Sequence, residues 1–507
     1  MQLRSPFLLT ALALVSCSAP TAQPRASSCA PCPPCAAASN APQPAAMTGS
    51  SPNADPSADK PQAPSDPITD KLQTLARTES RAYDLVRSLV DEAGSRLSGS
   101  KGDKAAVAWG VRTMKELGLQ NVRAEKVMVP HWERGAESGK IVSPSSHTLV
   151  LTALGGSVST KGKGIEAEVV MVDSMEALEK IEESKVKGKI VFYSTRMKRS
   201  NTGEDYGRVG PIRAYGAIAA AKKGAIAVVI RSVGTDHDRF PHTGGMRYEK
   251  GVPEIPAAAL AVPDAELLER LVSAGKPVRM ALSLASKTFP DAESANVVGE
   301  VVGREKPNEI VLLGAHLDSW DTGVGAVDDG AGCAAIIEAA RLMTTLPTRP
   351  RRTVRVVLFA NEENGLRGAK TYAVDHAAEI DAHQLAVEID LGSGRVHALR
   401  FLGADSASTI FSRIAGLVAP LGITYEQDPA SGGADLIPLR PFGVPMADLQ
   451  QDATKYFDVH HTANDTLAQV TKEDLDQIVA AVATVAWAAA DAPDFLARVP
   501  EQRRKRK

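Results

Sequence analysis

The sequence predicts an α/β protein, a sheet with helices on both faces, carrying a separate α+β unit inserted into it. Three observations lead there. From residue 309 on, near-continuous apolar runs alternate with helical patterns: EIVLLGA (309–315), GAGCAAIIEAARLM (330–343), RTVRVVLFA (352–360), GAKTYAVDHA (368–377) and QLAVEID (384–390). Apolar strands that alternate with helices belong to sheets covered from both sides. Residues 145–287 have another texture: short β-type runs (HTLVLTAL, EAEVVMV, GKIVFYS, AIAVVIRS) and one helical stretch, YGAIAAAKKGA, punctuated by Gly and Pro. Finally, His and carboxylate residues fall just after the apolar runs of the first region, where such sheets collect function.

The chain has 507 residues, enough for two or three compact units. It begins with an address. Arg4 supplies positive charge, Phe7 to Val15 form a short apolar region, and LVSC (Leu14 to Cys17) follows, the layout of a signal peptide. LVSC resembles a bacterial lipobox, which makes residues 1–17 a lipoprotein signal and Cys17 the lipidation site; plain secretion is the blander reading. Acyl chains on Cys17 would anchor the protein to the cell envelope, and Ser18 after that Cys suggests the outer membrane. Residues 18–68 are rich in Pro, Ala and Ser and read as a disordered tether. Cys29, Cys32 and Cys35 lie there without a folded frame, so disulfides or idle thiols are expected rather than a metal. From residue 69 the texture is helical, in DKLQTLARTESRAYDLVRSLVDEAG and DKAAVAWGVRTMKELGL, and then strand-like in NVRAEKVMVP. Cys333 reads as a small core residue. The basic end, Arg503 to Lys507, reads as a solvated tail, with anionic lipid as a weaker alternative partner.

Bulk charge excludes some functions. Lys plus Arg (58) nearly balances Asp plus Glu (60), for a net charge of −2, which gives no case for a nucleic-acid partner. After the N-terminus no stretch approaches the ~20 apolar residues of a membrane span, so membrane contact is expected through the lipid anchor alone.

The candidate chemistry sits after the apolar runs. His316 and Asp318 follow the first; Asp328 and Asp329 open the next helix; Glu362 and Glu363 follow RTVRVVLFA; Asp390 ends QLAVEID; His460 and His461 stand in YFDVHHTANDT. Taken singly, each has a plain reading: Asp328 is a helix cap and Glu362–Glu363 a solvated pair. Carboxylates gathered alone would repel. Gathered with imidazoles they call for a divalent cation, and mixed N/O ligation suits zinc. The 145–287 unit offers no such cluster, so shaping or docking is its expected part.

The segments GAHLDSWDTGVGAVDDGAG, NEENGLRGA, VEID and HHTANDT resemble the zinc aminopeptidase and glutamate carboxypeptidase family, and further similarity extends over residues 70–495. The resemblance implies a di-zinc exopeptidase-type mixed sheet flanked by helices, with a catalytic domain in two parts (69–144 and 288–497), an inserted protease-associated domain (145–287) and a basic tail (498–507). It implies two zinc ions: His316 and Asp390 on one, Glu363 and His461 on the other, Asp328 bridging. Glu362 matches the general base, and Asp318 the carboxylate that orients His316 from behind. Two ions ~3.5–4 Å apart share and acidify one water, and adjacent glutamates can divide ligation from proton transfer because they point differently. His460 and Asp435 are candidates for substrate contact or for supporting the ligands. Ser431 and Gly432 either present backbone groups or simply turn, and Trp320, Tyr456 and Phe457 are expected to pack the walls. Asn361 departs from the small apolar residue of animal relatives and leaves the ligands intact. The expected activity is hydrolysis of dipeptides with free termini by a homodimer; aminopeptidase and carboxypeptidase action on longer peptides, a glutaminyl cyclase and a non-catalytic binding protein are the alternatives. No residue for recognising a terminal charge is identifiable.

Overall fold

The structure, a computed structural model, describes residues 65–504. The signal segment with Cys17, nearly all of the tether with its cysteines, and residues 505–507 lie outside the described residues. The chain opens with two amphipathic helices, Pro67–Thr78 and Ala82–Ala93. Asp66 caps the first, accepting from Ile68 N (3.0 Å), and Pro at its start needs no hydrogen-bond partner. A third helix, Lys101–Glu116, is capped by Ser100.

Strand β1 (Gln120–Glu133) leads out of this layer into the insertion, whose strands are β2 (Glu137–Ser143), β3 (His147–Leu149), β4 (Leu151–Ala153), β5 (Ile165–Val172), β6 (Ile190–Tyr193), β7 (Ala227–Arg231), β8 (Ala257–Leu260) and β9 (Arg279–Leu284). They form one sheet in the order β3-β2-β9-β5-β6-β7-β8-β4. This second sheet starts at residue 137, not 145, because β2 pairs antiparallel with β9. Its sequence ESGKIVS alternates with polar residues and lacks the apolar run that marks the other strands.

The main sheet adds β10 (Lys287–Val301), β11 (Lys306–His316), β12 (Arg352–Phe359), β13 (His383–Glu388), β14 (Val396–Leu402), β15 (Thr424–Tyr425) and β16 (Met446–Gln451), in the order β1-β10-β12-β11-β13-β16-β14-β15. It is mixed: β12, β11, β13 and β16 run parallel at its centre, β1 and β10 are antiparallel to their neighbours, and β14 is antiparallel to β16 and parallel to the short β15. Alternation of side chains across a strand explains the continuous apolar runs. Val311, Leu313, Val354, Val356 and Leu358 belong to one core, shared with the Ala331–Thr344 and Lys472–Ala490 helices. Leu312, Val357 and Phe359 belong to another, with Ala369, Tyr372 and Ile380. Both faces are dry. Cys333 sits fully buried in the first core. No helix among the described residues is long and apolar enough to cross a membrane; the apolar Lys472–Ala490 helix is buried against the sheet.

The basic end differs from a solvated tail over its described part. Arg440 Nε donates to the Arg504 carbonyl (2.9 Å), Arg504 Nε donates to the Val499 carbonyl (2.8 Å), and Arg503 pairs with Asp405 (2.9 Å). Local carbonyls and one exposed carboxylate absorb these charges.

Candidate metal centre

Four adjacent parallel strands end on the same edge of the sheet, and each delivers one part of the site. His316 is the last residue of β11; Glu362 and Glu363 follow β12; Asp390 follows β13; His460 and His461 follow β16 through the short Tyr456–Val459 helix. Asp328 enters from the turn Ala326–Gly330 ahead of the Ala331–Thr344 helix, across a cis Asp328–Asp329 peptide. Asn361 and His461 hold positive φ (62° and 63°), and Asn is among the few side chains that tolerate this region. This gives Asn361 a local role: it turns the chain so that the paired glutamates follow, and its amide donates to Ser98 Oγ (2.9 Å).

Asp328 lies between two imidazoles. Its Oδ1 is 3.2 Å from His316 Nε2, and its Oδ2 is 3.3 Å from His461 Nε2. His316 Nε2 also meets Asp390 Oδ1 at 3.1 Å, and His461 Nε2 meets Glu363 Oε2 at 2.9 Å. The two halves of the cluster thus share one carboxylate. Asp328 Oδ2 and Glu363 Oε1 are buried without a hydrogen-bond partner. His316, Asp328 and Glu363 bring ligand atoms within 4.8 Å of one another, as do His316, Asp329 and Asp390, and Asp328, His460 and His461. This mixed set of imidazole and carboxylate donors, with buried acceptors left over, fits a divalent cation of the zinc type.

Asp329 belongs to the backbone instead. Its Oδ2 accepts from His316 N (3.1 Å) and its Oδ1 from Gly332 N (3.1 Å), which caps the helix. Asp318 also differs from expectation. Its carboxylate is 3.8 Å from His316 Nδ1, too far to bond, and the Asp318 backbone carbonyl accepts from that nitrogen instead (3.0 Å). The carboxylate accepts from Glu362 N (2.9 Å) and Ser98 Oγ (3.0 Å). Asp318 therefore orients both His316 and the Glu362 backbone, by separate oxygens.

The protein charges pull these groups in opposite directions. Burial, then Asp390, pushes the Glu362 carboxyl well above the usual range. Burial is the largest single influence on Asp328 too, but the hydrogen bonds from His316 and His461 and the charges of His460 and His461 together outweigh it and hold Asp328 well below the usual range. Burial opposes charge on His316, but Asp390 and Asp328 raise it well above an ordinary imidazole. No protein group among the described residues hydrogen-bonds the Glu362 carboxylate.

His460 stacks on His461 (ring centroids 3.5 Å apart), with Nε2 3.8 Å from Asp328 Oδ2 and Nδ1 buried without a partner. Asp435 is buried with both oxygens unpartnered; its charged neighbours are Glu388, His316, Asp318 and Asp390. Ser431 and Gly432 turn their N–H groups to Asp448 (2.6 and 2.8 Å), so the turn reading holds there. Trp320 Nε1 donates to Glu363 Oε2 (2.5 Å), a specific hydrogen bond beyond wall packing.

Three supports were missed in the sequence. Asp465 accepts from Val327 N (2.7 Å) and Asp328 N (3.2 Å), which fixes the Asp328 backbone; its place four residues after His461 was the available signal. Glu388, two residues before Asp390, accepts from the N–H groups of Ala434, Asp435 and Leu436. The insertion reaches the centre as well. Thr243 N donates to the His461 carbonyl (3.0 Å), Thr235 N to the Phe457 carbonyl (2.9 Å), and Arg213 Nη1 lies 3.2 Å from His461 Nδ1.

The model of peptidase family M28 matches residues 296–486. Carboxypeptidase Q of Rattus norvegicus is 40% identical over 427 residues, 84% of this chain and 89% of that protein; the Homo sapiens protein is 38% identical over the same shares. Among solved structures, a peptidase M28 precursor from Shewanella amazonensis has a TM-score of 0.84 and 44% identity, covering 86% of this chain and 98% of that one. BSAP, a zinc aminopeptidase from Bacillus subtilis, shares the fold at a TM-score of 0.58 and 22% identity, over 80% of this chain and 93% of that one.

Proposed function

Because the chain belongs to peptidase family M28, we propose that it is a zinc-dependent exopeptidase that hydrolyses dipeptides or short peptides. The observation that carries this reading is the Asp328 carboxylate, shared between His316 and His461 with a buried oxygen left unpartnered. His316 and Asp390 would hold one zinc and Glu363 and His461 a second, with Asp328 a ligand available to both. Zinc bound there supplies Lewis-acid polarisation of the scissile carbonyl and lowers the pKa of the attacking water.

The protein's own groups do the rest. Glu362 takes the water's proton on its free carboxylate and passes it to the leaving amine. Its burial beside Asp390 raises its proton affinity, the direction a general base needs to take a proton from water. Asp318 fixes the Glu362 N–H and, through its carbonyl, keeps His316 Nδ1 protonated, so that Nε2 presents its lone pair to the metal. Trp320 and Asp465 hold Glu363 and Asp328 in register.

A panel of dipeptides, end-blocked dipeptides and longer peptides, assayed with and without chelator, tests the reading. Zinc-dependent release of single amino acids is expected, and chelator-insensitive turnover would end it. The lipobox-like LVSC supports an exported protein anchored through Cys17 to the cell envelope, in the outer membrane where there are two; Cys17→Ala is expected to release it from membranes. A homodimer completes the proposal, checked by the mass of the purified protein in solution.

A further inference from the structure

The insertion supports the metal centre on one side only. Its residues 235–243 run along residues 457–461. Thr235 N donates to the Phe457 carbonyl (2.9 Å), and Thr235 Oγ1 to Asp458 Oδ1 (2.8 Å). His242 Nδ1 lies 2.6 Å from the His460 carbonyl, and Thr243 N donates to the His461 carbonyl (3.0 Å). The insertion also closes on Glu363. A Cβ on Gly245 would come within 3.1 Å of the Glu363 carbonyl, and one on Gly155 within 1.9 Å of the Trp320 ring, whose Nε1 holds Glu363. His316 and Asp390 are different. Asp318, Asp329 and Cys333 hold His316, and among the described residues no hydrogen bond from the insertion reaches it or Asp390.

His242 is the most specific of these supports. It is fully buried. Its Nδ1 faces the His460 carbonyl, and its Nε2 is 2.6 Å from Asp236 Oδ1. Both neighbours only accept, so both ring nitrogens donate, and Asp236 brings the matching negative charge. Two further contacts fix the ring in place. His242 N donates to Ser232 Oγ (2.8 Å), and a Cβ on Gly234 would come within 2.3 Å of the imidazole. A ring bonded at both ends and packed against a glycine stays aimed at its carbonyl.

The carbonyls held by His242 and Thr243 are the two that set His461. The rigid peptide planes on either side of a Cα define its φ and ψ. The His460 carbonyl belongs to the plane before His461, and the His461 carbonyl to the plane after it. Consecutive insertion residues hold one each, and Thr322 Oγ1 adds a bond to the second (3.1 Å). His461 needs such support, because its φ of 63° is one that few side chains adopt unaided. In that conformation its Nε2 meets Glu363 Oε2 at 2.9 Å and Asp328 Oδ2 at 3.3 Å.

We propose that the His242–Asp236 pair positions His461 for the zinc it shares with Glu363 and for that zinc alone, so that the two ions depend on different parts of the chain. This rests on the peptidase reading above. Groups that orient a ligand are worth roughly 10–100-fold in metal affinity, and here the insertion gives that support to one ion. Contacts that merely packed the insertion onto the sheet would, when cut, weaken both ions alike or neither.

The test titrates zinc against a chromophoric chelator on the full chain, which reads each dissociation constant without reference to turnover. Wild type is expected to hold two zincs. His242→Leu is expected to weaken one of them roughly 10–100-fold and to leave the other at its wild-type value. His242→Gln keeps a donor for the carbonyl, and Asp236→Asn keeps an acceptor for the ring; each is expected to give a smaller loss at the same ion. In a Glu363→Ala chain, which should retain only the His316–Asp390 zinc, adding His242→Leu is expected to change nothing. Melting of the zinc-free proteins separates a misfolded chain from a misdirected ligand, and if His242→Leu does not fold the two milder variants carry the test. Equal weakening of both zincs, no weakening, or a further loss in the Glu363→Ala chain would overturn the proposal. A wild type that holds one zinc overturns it too, with the peptidase reading left to the dipeptide panel. A wild type that binds none overturns that reading first.

Discussion

Strand β12 serves two buried charge clusters that solve opposite problems. In mid-strand, Arg355 Nε donates to Glu300 (2.7 Å), and its Nη1 donates to the Tyr372 hydroxyl (3.0 Å) and to Glu379. His376 lies between Glu379 (2.5 Å) and Glu125 (2.9 Å). No buried side-chain polar atom of these residues lacks a partner. Past the end of the same strand stand Glu362 and Glu363, in a cluster where Asp328, Glu363 and Asp435 keep unpartnered buried oxygens. Buried charges persist only when paired or when they coordinate a metal. The Arg355 cluster is complete with protein groups alone, whereas the strand-end cluster keeps buried acceptors that a divalent cation would satisfy. Between these two clusters, saturation and not burial marks the difference.

The sharpest way to break this contrast is to remove the metal. Chelation is expected to abolish turnover and to lower thermal stability, because the carboxylates lose the ions that hold them together; a site saturated a hundredfold above its dissociation constant loses ~2.7 kcal/mol. Re-adding zinc should restore both. Activity and melting temperature, read in parallel during a chelator titration, check this, and an unaltered melting temperature would mean the strand-end cluster is as self-sufficient as the other. Next in size, Glu362→Gln is expected to cut kcat roughly 10²–10⁴-fold while zinc content stays at the wild-type value. Elemental analysis beside steady-state kinetics separates the two, and normal turnover would remove Glu362 from the base role.

Much of the strand-end cluster was legible because each ligand-type residue follows an apolar run, and parallel strands bring their carboxyl ends together. That rule marks His316, Asp318, Asp328, Asp329, Glu362, Glu363, Asp390, His460 and His461 as candidates without dividing them, and the resemblance to the zinc aminopeptidase family is what singles out His316, Asp328, Glu363, Asp390 and His461 as ligands. What stayed hidden depends on contacts between distant segments. Arg213 and His461 are 248 residues apart, and nothing local to YGRVGPIR marks one arginine as a neighbour of the metal centre. The Asp318 carboxylate serves Glu362 N, 44 residues away, while its own carbonyl meets His316; sequence spacing cannot tell these oxygens apart. The β2 strand was missed because its pairing with β9, and not its own hydrophobicity, makes it a strand. The Arg355 cluster was invisible for the same reason, since Glu125, Glu300 and Glu379 come from separate elements.

The third prediction attacks the saturated cluster. Arg355→Leu strips the partner from Glu300 and Glu379, and breaking a buried pair in this way costs about 3–5 kcal/mol. The urea midpoint should fall accordingly. The folded fraction should keep its KM, since Arg355 bonds to no group of the metal centre. A large change in KM without a change in midpoint would erase the distinction between the two clusters.

The smallest effect sharpens the same point through pH. His383 is fully buried behind Tyr372. Tyr372 accepts from Arg355, so its own hydrogen goes to His383 Nε2 (2.9 Å), and His383 Nδ1 donates to the Glu379 carbonyl (3.1 Å). That chain of donors requires a neutral imidazole. Burial pushes the His383 pKa down to about 4, against about 6.5 in an unfolded chain. The folded-state value is the lower one, so the unfolded chain binds the extra proton first. The stabilisation is complete above pH ~6.5 and is lost as pH falls through about 4, with no further loss below. At roughly 1.4 kcal/mol per pH unit, that window bounds the loss at about 3 kcal/mol. Unfolding midpoints of wild type and His383→Gln, taken at intervals between pH 7 and 4, isolate it, since every other titrating group is common to both. The variant should show the shallower decline; parallel curves would mean that His383 is already protonated in the native state, and that the Arg355 cluster holds one more charge than its hydrogen bonds allow.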